Sequence, residues 1–591
     1  MCGIAGAIGW IEEEINHAVN KMSLNIGHRG PDSHGFWCTG VEGFGAALAH
    51  RRLSIIDLTP AGHQPMVDAE TGNVIVFNGE IYNYQEISRQ LHSLGQPLHT
   101  ASDTEVILAA YRQWGIDCIQ YLRGMFAFVI FNPTNRQALF VRDRLGIKPL
   151  YWCEVRASIG CRVILFASEV RAILNTGLIP RQLSQSALST FMWNGFVVGN
   201  QTIIKDIHLF PPGSLALIDA KNPEVLTKQY WKLPLPKNYV SNGTDQVRSE
   251  LENVAKLHLI SDVPVGVFLS GGIDSSAIAS LVTKVNGADS IKTYNISFEE
   301  SDFDESKYAR QITEYLKTEH VELKLTQQDF VTCLPKALSS IDQPTFDAIN
   351  TYVVSNLVRE HGLKVAIAGT GGDELFGGYR TFVELPKLQK LARSMKHIPK
   401  PLIMYLSQIM CQLMVGGIGA VPPQTRWGKL GDALVSKGDL LQLYQTAYGI
   451  FSNDFYQQLF EPDTQSTKLG LPTEFFDSLE TSAKNVSTLE TISIFETSIF
   501  LTERLLRDTD AASMKVALEV RVPFLDHILI EQISKLAPNT RYQNPGSKGL
   551  LRELALSDIN PSVFNRPKSG FVLPLDVLVS HYITKRSQCH I

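Results

Sequence analysis

The residue with the clearest chemical potential is Cys2, in the opening run Met1-Cys2-Gly3-Ile4. Removal of Met1 would leave a thiol and a free α-amine on one residue, so the nucleophile would carry its own base. An α-amine titrates near neutrality, at about 7.7 to 8.0 in model peptides, and can take the thiol proton and return it to a leaving amine. Taken alone, a chance cysteine beside an initiator methionine is the simpler interpretation, since free cysteine usually behaves as a small hydrophobic residue.

Three further segments would supply what a thiol needs to hydrolyse an amide. Arg52 has a guanidinium that can bind an α-carboxylate through two parallel hydrogen bonds. The strand predicted at residues 74–77 ends in Asn78-Gly79-Glu80, which offers a side-chain amide and an unhindered backbone N–H to an oxyanion. Asp103 adds an anion for an α-ammonium. Each has a simpler alternative: a surface charge for Arg52, an ordinary turn for Asn78-Gly79 and a helix cap for Asp103.

A second group of candidate residues lies downstream, where a short apolar strand enters Leu269-Ser270-Gly271-Gly272-Ile273-Asp274-Ser275-Ser276 and a helix follows. A strand, a glycine turn and a helix start form an anion site, because backbone N–H groups and the helix dipole both favour negative charge. The glycines would admit a phosphate close to the backbone, the serines add hydroxyl donors, and Asp274 can reach a phosphate-bound Mg²⁺. No Gly-Lys-Ser/Thr follows, which excludes a Walker A loop. A structural turn is the alternative for this loop alone.

Two more strands are predicted at residues 292–298 and 364–368, and helical segments separate all three strands. This alternation predicts a doubly wound parallel sheet, whose ligand site lies beyond the carboxyl ends of the strands. The third strand runs into Gly369-Thr370-Gly371-Gly372-Asp373-Glu374, so Asp373 and Glu374 would lie in a position like that of Asp274. Paired carboxylates beside a phosphate loop indicate Mg²⁺.

The order and spacing of the amino-terminal motifs resemble the glutaminase domain of the class II glutamine amidotransferases, which are N-terminal nucleophile hydrolases. His28-Arg29-Gly30-Pro31-Asp32 and Arg142-Asp143-Arg144-Leu145-Gly146 also match. The resemblance implies an αββα sandwich in which Cys2 is the nucleophile and Asn78 and Gly79 form the oxyanion hole. It assigns glutamine binding to Arg52, Asn78, Gly79, Glu80 and Asp103.

The downstream loop is similar to the ATP pyrophosphatase loop of synthetases that cleave ATP to AMP and pyrophosphate. A glutaminase followed by this domain resembles the glutamine-hydrolysing asparagine synthetase family over nearly the whole chain, and residues 518–526 and 566–571 agree. The resemblance implies ATP and Mg²⁺ as cofactors, with Asp274 and Asp373 at the metal. It assigns ATP binding to Leu269, Ser270, Gly271, Gly272, Asp274, Ser275, Ser276, Ile296, Ala368, Gly369 and Lys568, the last as a cation for the polyphosphate.

The implied reaction has two halves. Cys2 attacks the side-chain amide of glutamine, ammonia leaves, and water releases glutamate from the thioester. In the second domain the side-chain carboxylate of aspartate attacks the α-phosphate of Mg·ATP, and ammonia then attacks the acyl adenylate to give amide and AMP. Free ammonia is mostly protonated at pH 7, so an enclosed passage between the sites is implied, and the sequence does not identify its lining.

One position departs from the family. Well-characterised asparagine synthetases carry glutamate at the position of Thr370, and threonine cannot act as a general base at neutral pH. A second interpretation therefore keeps the chemistry and changes the acceptor to another carboxylate, in specialised-metabolite or cell-surface biosynthesis. A third is a regulatory or scaffold protein that has lost catalysis. The intact set Cys2, Asn78, Asp103, Asp274 and Asp373 argues against the third.

Composition indicates a large cytoplasmic enzyme. The 591 residues predict two domains, which we divide into 1–235 and 236–591, the second ending in a largely helical part. A net charge of −5 gives no whole-chain electrostatic case for nucleic acid. Eight cysteines without a Cys-x-x-Cys pair fit a reducing compartment, and no signal peptide precedes Cys2. The expected partners are glutamine, aspartate or another carboxylate, and ATP, with a homodimer as a further possibility.

Residues 401–425 carry no charged side chain, and their first part is strongly apolar. A membrane span needs about 20 predominantly apolar residues. This stretch contains Ser407, Gln408, Gln412 and a Pro-Pro exit, and it interrupts an enzyme domain. It therefore predicts a buried or interfacial helix rather than a span, with a partner or membrane-surface contact as the alternative.

Overall fold

The computed structural model describes residues 2–39, 43–235, 238–240, 243–288, 291–298, 305–345, 348–415, 422, 424–459 and 466–565. Lys568, together with the rest of the 566–571 motif, lies outside the described residues. The amino-terminal and carboxyl-terminal parts of the chain build separate sheets.

The amino-terminal part contains two six-stranded antiparallel sheets packed face to face. In spatial order the strands of the first sheet are His208–Leu209, Tyr151–Arg156, Arg162–Ala167, Gly3–Ile11, Gly43–Arg52 and Ser33–Cys38. Those of the second sheet are Lys228–Gln229, Ser214–Asp219, Gln137–Arg142, Gly124–Asn132, Val74–Ile81 and Met66–Val67. Apolar side chains from both sheets, including Ile4, Val129 and Phe166, form one core between them.

Helices cover the outer faces of this sandwich. Glu13–Asn25 and Val170–Leu174 pack on the first sheet, and Tyr84–Ser93 and Asp103–Trp114 pack on the second. The strand Gly3–Ile11 shows why the sequence folds this way: Ile4 and Ile8 point between the sheets, whereas Ala5, Ala7 and Ile11 point to the helices. Because both faces are covered, the strand is apolar throughout instead of alternating. The predicted αββα sandwich is confirmed.

The carboxyl-terminal part contains a five-stranded sheet in which every neighbouring pair is parallel. In spatial order its strands are Glu319–Leu325, Lys292–Phe298, Val265–Phe268, Val365–Ile367 and Glu519–Arg521. Helices packed around this sheet are Thr244–Leu257, Ile273–Asn286, Ser306–Leu316, Gln327–Ser340, Ala348–Glu360, Leu506–Met514, His527–Ser534 and Gly549–Ala555. The predicted doubly wound sheet is confirmed, and its strand order reverses between Val265–Phe268 and Val365–Ile367, where such sheets bind ligands.

Further helices follow the fourth strand of this sheet along the chain, as the sequence predicts. They are Gly372–Phe376, Thr381–Ser394, Lys400–Val415, Leu430–Val435, Leu440–Tyr448, Asn453–Leu459, Thr473–Ser482, Thr488–Phe495 and the π-helical segment Glu496–Leu505. Pro538–Arg541 is a single helical turn, and Thr467–Lys468 pairs with Leu471–Pro472. Among the described helices, none combines the length and apolar character that crossing a bilayer requires.

Buried ion pairs join the two parts of the chain. Arg29 contacts Asp510 at 2.7 Å, and Arg123 contacts Asp526 at 2.6 Å. The helix Gln185–Asn194, on the amino-terminal side of our proposed boundary at residue 235, also packs on the carboxyl-terminal helices, because Trp193 Nε1 donates to the backbone carbonyl of Gln445 at 3.1 Å. Burial makes each of these charges expensive to leave unpaired, so the pairs favour one relative placement of the two sheets.

Candidate active sites

Cys2 lies immediately before the first strand of the sandwich and is only 8% exposed. Its backbone N–H donates to Asn78 Oδ1 at 3.1 Å, and its carbonyl accepts from Arg29 Nε at 3.1 Å. Burial raises the pKa of the Cys2 thiol. A thiol in this environment needs a base to become nucleophilic, because the thiolate is the reactive form.

Asn78 and Gly79 lie within the strand Val74–Ile81, which pairs with Gly124–Asn132, so the alternative of an ordinary turn is wrong. The Nδ2 group of Asn78 is buried and has no hydrogen-bond partner among the described residues, although its Oδ1 is bonded to Cys2. A Cβ on Gly79 would lie 2.1 Å from the carbonyl oxygen of Met125, so this strand pairing admits only glycine here. A buried donor without a partner, beside a nucleophile, is suited to an oxyanion.

Arg52 is buried, which excludes a surface charge. Its guanidinium donates to the carbonyls of Thr59 at 2.9 Å and Ile56 at 3.2 Å, and also to that of Asp57. A Cβ on Gly62 would lie 2.0 Å from Nη2, so a larger residue there would push the guanidinium out of this position. These contacts hold the Arg52 side chain in one orientation at the wall of the pocket.

Asp103 is the first residue of the helix Asp103–Trp114, and the cap is Ser102, whose hydroxyl accepts from the N–H of Thr104 at 3.2 Å. The helix-cap alternative for Asp103 is therefore wrong. Its carboxylate accepts from the N–H of Ile81 at 3.1 Å, and burial raises its pKa to about 6. Burial also raises the pKa of Glu80 well above the usual range, although Arg521 Nη2 lies 3.4 Å away and opposes the shift. An ammonium bound here would favour the ionised form of both carboxyls.

These residues meet in one cavity. Its lining is Cys2, Arg52, Leu53, Ile55, Ile56, Gly62, Gln64, Phe77, Gly79, Glu80, Ser102, Asp103 and Thr104. The structure thus brings together a thiol, a guanidinium and two carboxyls from four separate segments. A nucleophile, an anion binder and a cation binder in one small pocket match the parts of an amino acid with a side-chain amide.

The second candidate site starts at the glycine loop between the strand Val265–Phe268 and the helix Ile273–Asn286. Gly271 has a φ of +73°, and a Cβ there would lie 2.8 Å from the side chain of Tyr308. The backbone N–H of Ser270 donates to Ser275 Oγ at 3.2 Å, so these two serines brace the loop. Ser276 is fully buried, which leaves its hydroxyl away from the open side of the loop.

Asp274 and Asp373 meet at a lysine that the sequence analysis missed. Lys548 Nζ lies 2.6 Å from Asp373 Oδ1 and also contacts Asp274 Oδ2. Burial alone would lower the pKa of Lys548, but the two carboxylates raise it above its ordinary value. A Cβ on Gly378 would lie 2.0 Å from Lys548 Cε, so the lysine reaches the carboxylates through space that glycine leaves open.

The residues around Lys548 are suited to a metal ion that is also coordinated by the phosphates of a bound substrate. In the part of the chain that the structure describes, no cluster of three or more histidine, cysteine or acidic side chains could hold a metal alone. Asp274 and Asp373 supply two carboxylates, and Mg²⁺ is commonly held by one or two carboxylates together with substrate phosphates. In the sequence, Lys548 is marked only by its neighbours in Gly546-Ser547-Lys548-Gly549. These neighbours do not reveal that Lys548 lies close to Asp274 in the glycine loop.

The other residues expected to bind the nucleotide lie at the carboxyl ends of neighbouring strands. Leu269 and Ile296 are buried, whereas Ala368, Gly369 and Thr370 are half-buried. A Cβ on Gly369 would lie 2.8 Å from Asp274, so the two loops touch. The structure therefore brings these positions to one edge of the sheet, as parallel strands require.

Buried acids form a second cluster, of which the sequence analysis named only Glu374, as the neighbour of Asp373 in a pair of carboxylates. Tyr379 donates to Glu374 Oε1 at 2.8 Å, and Tyr448 donates to Glu496 Oε2 at 2.8 Å. Burial raises the pKa of Glu374 to about 8 and that of Glu496 to about 7. Glu496 begins a π-helical segment, a feature frequent at functional sites. At pH 7 a pKa of about 8 favours the protonated form of Glu374, whereas a pKa of about 7 leaves Glu496 divided between both forms.

Comparisons with known proteins match successive stretches of the chain to two families. A glutamine amidotransferase domain family matches residues 1–231, and an asparagine synthase family matches residues 246–585. Asparagine synthetase (glutamine-hydrolyzing) 1 of Bacillus subtilis is 31% identical over 588 residues, covering 97% of this chain and 87% of that protein. Asparagine synthetase 3 of the same organism is 28% identical, covering 97% and 87%. Amidase chyE of Penicillium rubens is also 28% identical, covering 95% of this chain and 85% of its own length.

Proposed function

This chain belongs to the glutamine-hydrolysing asparagine synthetase family and is an ATP-dependent ligase, and we propose that it moves ammonia from glutamine to the side-chain carboxylate of aspartate. The observation that supports the proposal best is the meeting of Cys2, Arg52 and Asp103 in one pocket. Asn78 joins them through its hydrogen bond to the backbone N–H of Cys2. Each half of the reaction has a group of residues suited to it.

In the first half, Cys2 Sγ attacks the side-chain amide carbon of glutamine. The α-amine that Cys2 carries after loss of Met1 takes the thiol proton and returns it to the leaving ammonia. Asn78 Nδ2 and the N–H of Gly79 donate to the oxygen as it gains negative charge. Arg52 binds the α-carboxylate and Asp103, with Glu80, binds the α-ammonium. Water then cleaves the thioester and releases glutamate.

In the second half, ATP lies across the glycine loop and the carboxyl end of Val365–Ile367. Backbone N–H groups of the loop and the helix start face the phosphates. An oxygen of the acceptor carboxylate attacks the α-phosphorus, and pyrophosphate leaves. Ammonia attacks the resulting acyl carbon, and AMP leaves. Mg²⁺ would neutralise phosphate charge beside Asp274 and Asp373, while Lys548 positions both carboxylates and supplies a cation of its own.

Apolar packing extends from the cavity at Cys2 to the parallel sheet. Leu53, Ile55 and Ile56 line the cavity at Cys2, and they belong to the same buried cluster as Met125 and Val365. Val365 starts a central strand of the parallel sheet. Surroundings of this kind disfavour ammonium and tolerate neutral ammonia, since burying an unpaired charge is costly. We assign the passage for ammonia to this cluster.

A different acceptor carboxylate is the second candidate function, and Thr370 favours it. Thr370 is half-buried beside the glycines that contact Asp274, and the resemblance to well-characterised asparagine synthetases implies a glutamate at this position. A relative of this chain bears the name amidase rather than asparagine synthetase. If Thr370 only lines the pocket, aspartate remains the acceptor and another group or water takes the proton.

The experiment that separates these functions measures pyrophosphate release with glutamine and ATP over a panel of carboxylic acids. We expect aspartate to drive release, with asparagine and AMP formed in equal amounts. The Thr370→Glu variant is the matched test, because a general base contributes on the order of 10² to 10⁴ in rate. Little turnover of aspartate by the wild type, with a gain in Thr370→Glu or with another acid, would reject aspartate. Absence of release with every acid would reject the synthetase proposal.

A further inference from the structure

The helix Lys400–Val415 presents an apolar surface to solvent. Only Ile403, Ser407 and Cys411 are buried among its residues 400–413, and they lie on one side, next to Leu430–Val435. Six exposed apolar residues lie on the band of the helix surface that adjoins this buried side, and we call them the apolar stripe. They are Leu402, Tyr405, Leu406, Ile409, Met410 and Leu413, with exposed fractions from 38% to 78%.

The spacing of the stripe makes it one continuous face. Positions 402, 405, 406, 409, 410 and 413 repeat at intervals of three and four, so their side chains lie in one band along the helix. No aspartate, glutamate, lysine or arginine interrupts residues 401–425. Contiguous apolar surface of this kind is unusual on a monomer and marks an interaction site.

The short segment that immediately precedes the helix Lys400–Val415 is strongly basic. Between Glu384 and Asp432 the sequence contains no acidic residue, although the whole chain has a net charge of −5. Five of the cations in this interval are exposed, on the helix Thr381–Ser394 and in the link to the next helix: Lys387, Lys390, Arg393, Lys396 and Lys400. Leu391, between them, is 46% exposed. Peripheral proteins bind an anionic bilayer through two interactions: exposed cations attract the headgroups, and an exposed apolar helix face inserts among the acyl chains. This segment offers both kinds of residue next to each other along the chain.

We propose that the apolar stripe, together with these five cations, binds the surface of an anionic lipid bilayer. The helix lies in the plane of the interface with the stripe toward the acyl chains, and Ile403 and Cys411 stay packed on the protein. With 16 residues, the helix is too short to span. Lys400 is the first residue of the helix that carries the stripe. The other four cations lie just before it, in the last two turns of the helix Thr381–Ser394 and in the short link between the helices. The inference is independent of the proposed function.

A protein surface is a poorer match. The stripe is the convex side of a single peripheral helix, so a protein partner would have to supply a groove along its whole length. A second copy of the chain would bring the same basic segment to the contact, and like charges destabilise such pairing. Phosphatidylglycerol headgroups offer the complementary charge, and acyl chains conform to a convex apolar face.

The test is sedimentation of the full chain with vesicles of phosphatidylcholine alone or of equal parts phosphatidylcholine and phosphatidylglycerol. We expect pelleting with the anionic vesicles only, and weaker pelleting at 1 M salt, where screening acts over about 3 Å. Leu406→Gln with Ile409→Gln should lower the bound fraction about tenfold or more. Lys390→Gln with Lys396→Gln should lower it about tenfold at low salt.

The matched control is Lys21→Gln with Leu24→Gln, which removes an exposed lysine and a 71% exposed leucine from a helix of the other domain. Its pelleting should equal that of the wild type. A melting temperature within about 2 °C of the wild type shows that each variant is folded. Absence of pelleting by the wild type, or equal pelleting by the stripe variant, overturns the proposal. Light scattering that shows a dimer in the wild type and a monomer in the stripe variant assigns the face to a second copy and overturns it too.

Discussion

Lys548 Nζ lies 2.6 Å from Oδ1 of Asp373, and the same nitrogen contacts Oδ2 of Asp274. The three residues are far apart in sequence. A buried ammonium between two carboxyl groups offsets their mutual repulsion and holds them close together. This ion-pair cluster stands at the loop to which we assign the phosphates, and it links the carboxyl-terminal helix Gly549–Ala555 to the sheet.

Replacing Lys548 tests that assignment. We expect Lys548→Gln to lower ATP-to-AMP conversion by on the order of 10² or more, with either glutamine or ammonia as nitrogen source, because the cation stabilises charge near the phosphates. Basal glutaminase turnover should stay within about twofold of wild type. The control is Lys535→Gln, which removes an exposed lysine. Normal AMP formation by Lys548→Gln would remove this lysine from the site.

The variant Cys2→Ala should abolish glutamine-dependent synthesis and preserve ammonia-dependent synthesis. The second site needs only ammonia, whatever its source, whereas the first has no other buried thiol in its lining. The measurement is pyrophosphate release with glutamine or with ammonium chloride. Equal loss of both activities would contradict the two-site arrangement.

Asn78 should contribute to hydrolysis through its side-chain amide. We expect Asn78→Ala to lower glutamine turnover about 10² to 10³-fold in kcat, with little change in KM, since the donor acts on the oxyanion. Ammonia-dependent synthesis should be unchanged. Asn20→Ala, at an exposed position on the helix Glu13–Asn25, is the control. A rise in KM alone would mean that Asn78 binds substrate without stabilising charge.

The carboxylates Asp274 and Asp373 should be needed for adenylation only. Either Asp→Asn variant should stop ATP-to-AMP conversion and leave basal glutaminase turnover, because loss of a ligand weakens Mg²⁺ beside the phosphates and does not touch thioester chemistry. Raising the Mg²⁺ concentration should partly restore the variants. AMP formation at the wild-type rate in both variants would place the metal elsewhere.

Burial of Glu374 predicts a pH dependence of stability. Its pKa is about 8 in the folded chain against an ordinary value of 4.5, so between those pH values the folded state binds more protons than the unfolded state. The stabilisation is complete below about pH 4.5 and is lost as pH rises toward 8, by up to about 1.4 kcal/mol per pH unit. Melting temperatures at pH 5.5 and 7.5 should differ less in Glu374→Gln than in wild type. An equal difference in both would show that Glu374 is ionised throughout.

The strands, turns and helices around the two sheets could be predicted where they depend on residues that are close together in the sequence. The glycine loop after Val265–Phe268 and the helix Ile273–Asn286 follow from turn chemistry and apolar periodicity within a few residues. The strand Val74–Ile81 was expected to end at Asn78-Gly79-Glu80, yet it continues through them to Ile81. Pairing with Gly124–Asn132 extends it, because a long-range ladder overrides a local turn signal.

For the helix at residues 400–415, the sequence likewise predicted some properties, and tertiary packing decided others. Its apolar character was predicted and is observed. Among the described helices, none is long and apolar enough to cross a bilayer. Which side is buried was decided by packing against Leu430–Val435, since every side of this helix has apolar residues. Sequence periodicity alone cannot choose between two apolar faces.

By itself, the sequence determined the order of the two folds, the family, and the residue types of both sites, because these depend on motifs that are contiguous or nearly so. The tertiary structure decided which distant groups meet: Lys548 with Asp373, and Arg521 with Glu80. It also decided that Ser276 is buried and that burial raises the pKa of Glu374. Distance and desolvation are properties of the folded chain, since both depend on neighbours contributed by segments hundreds of residues away.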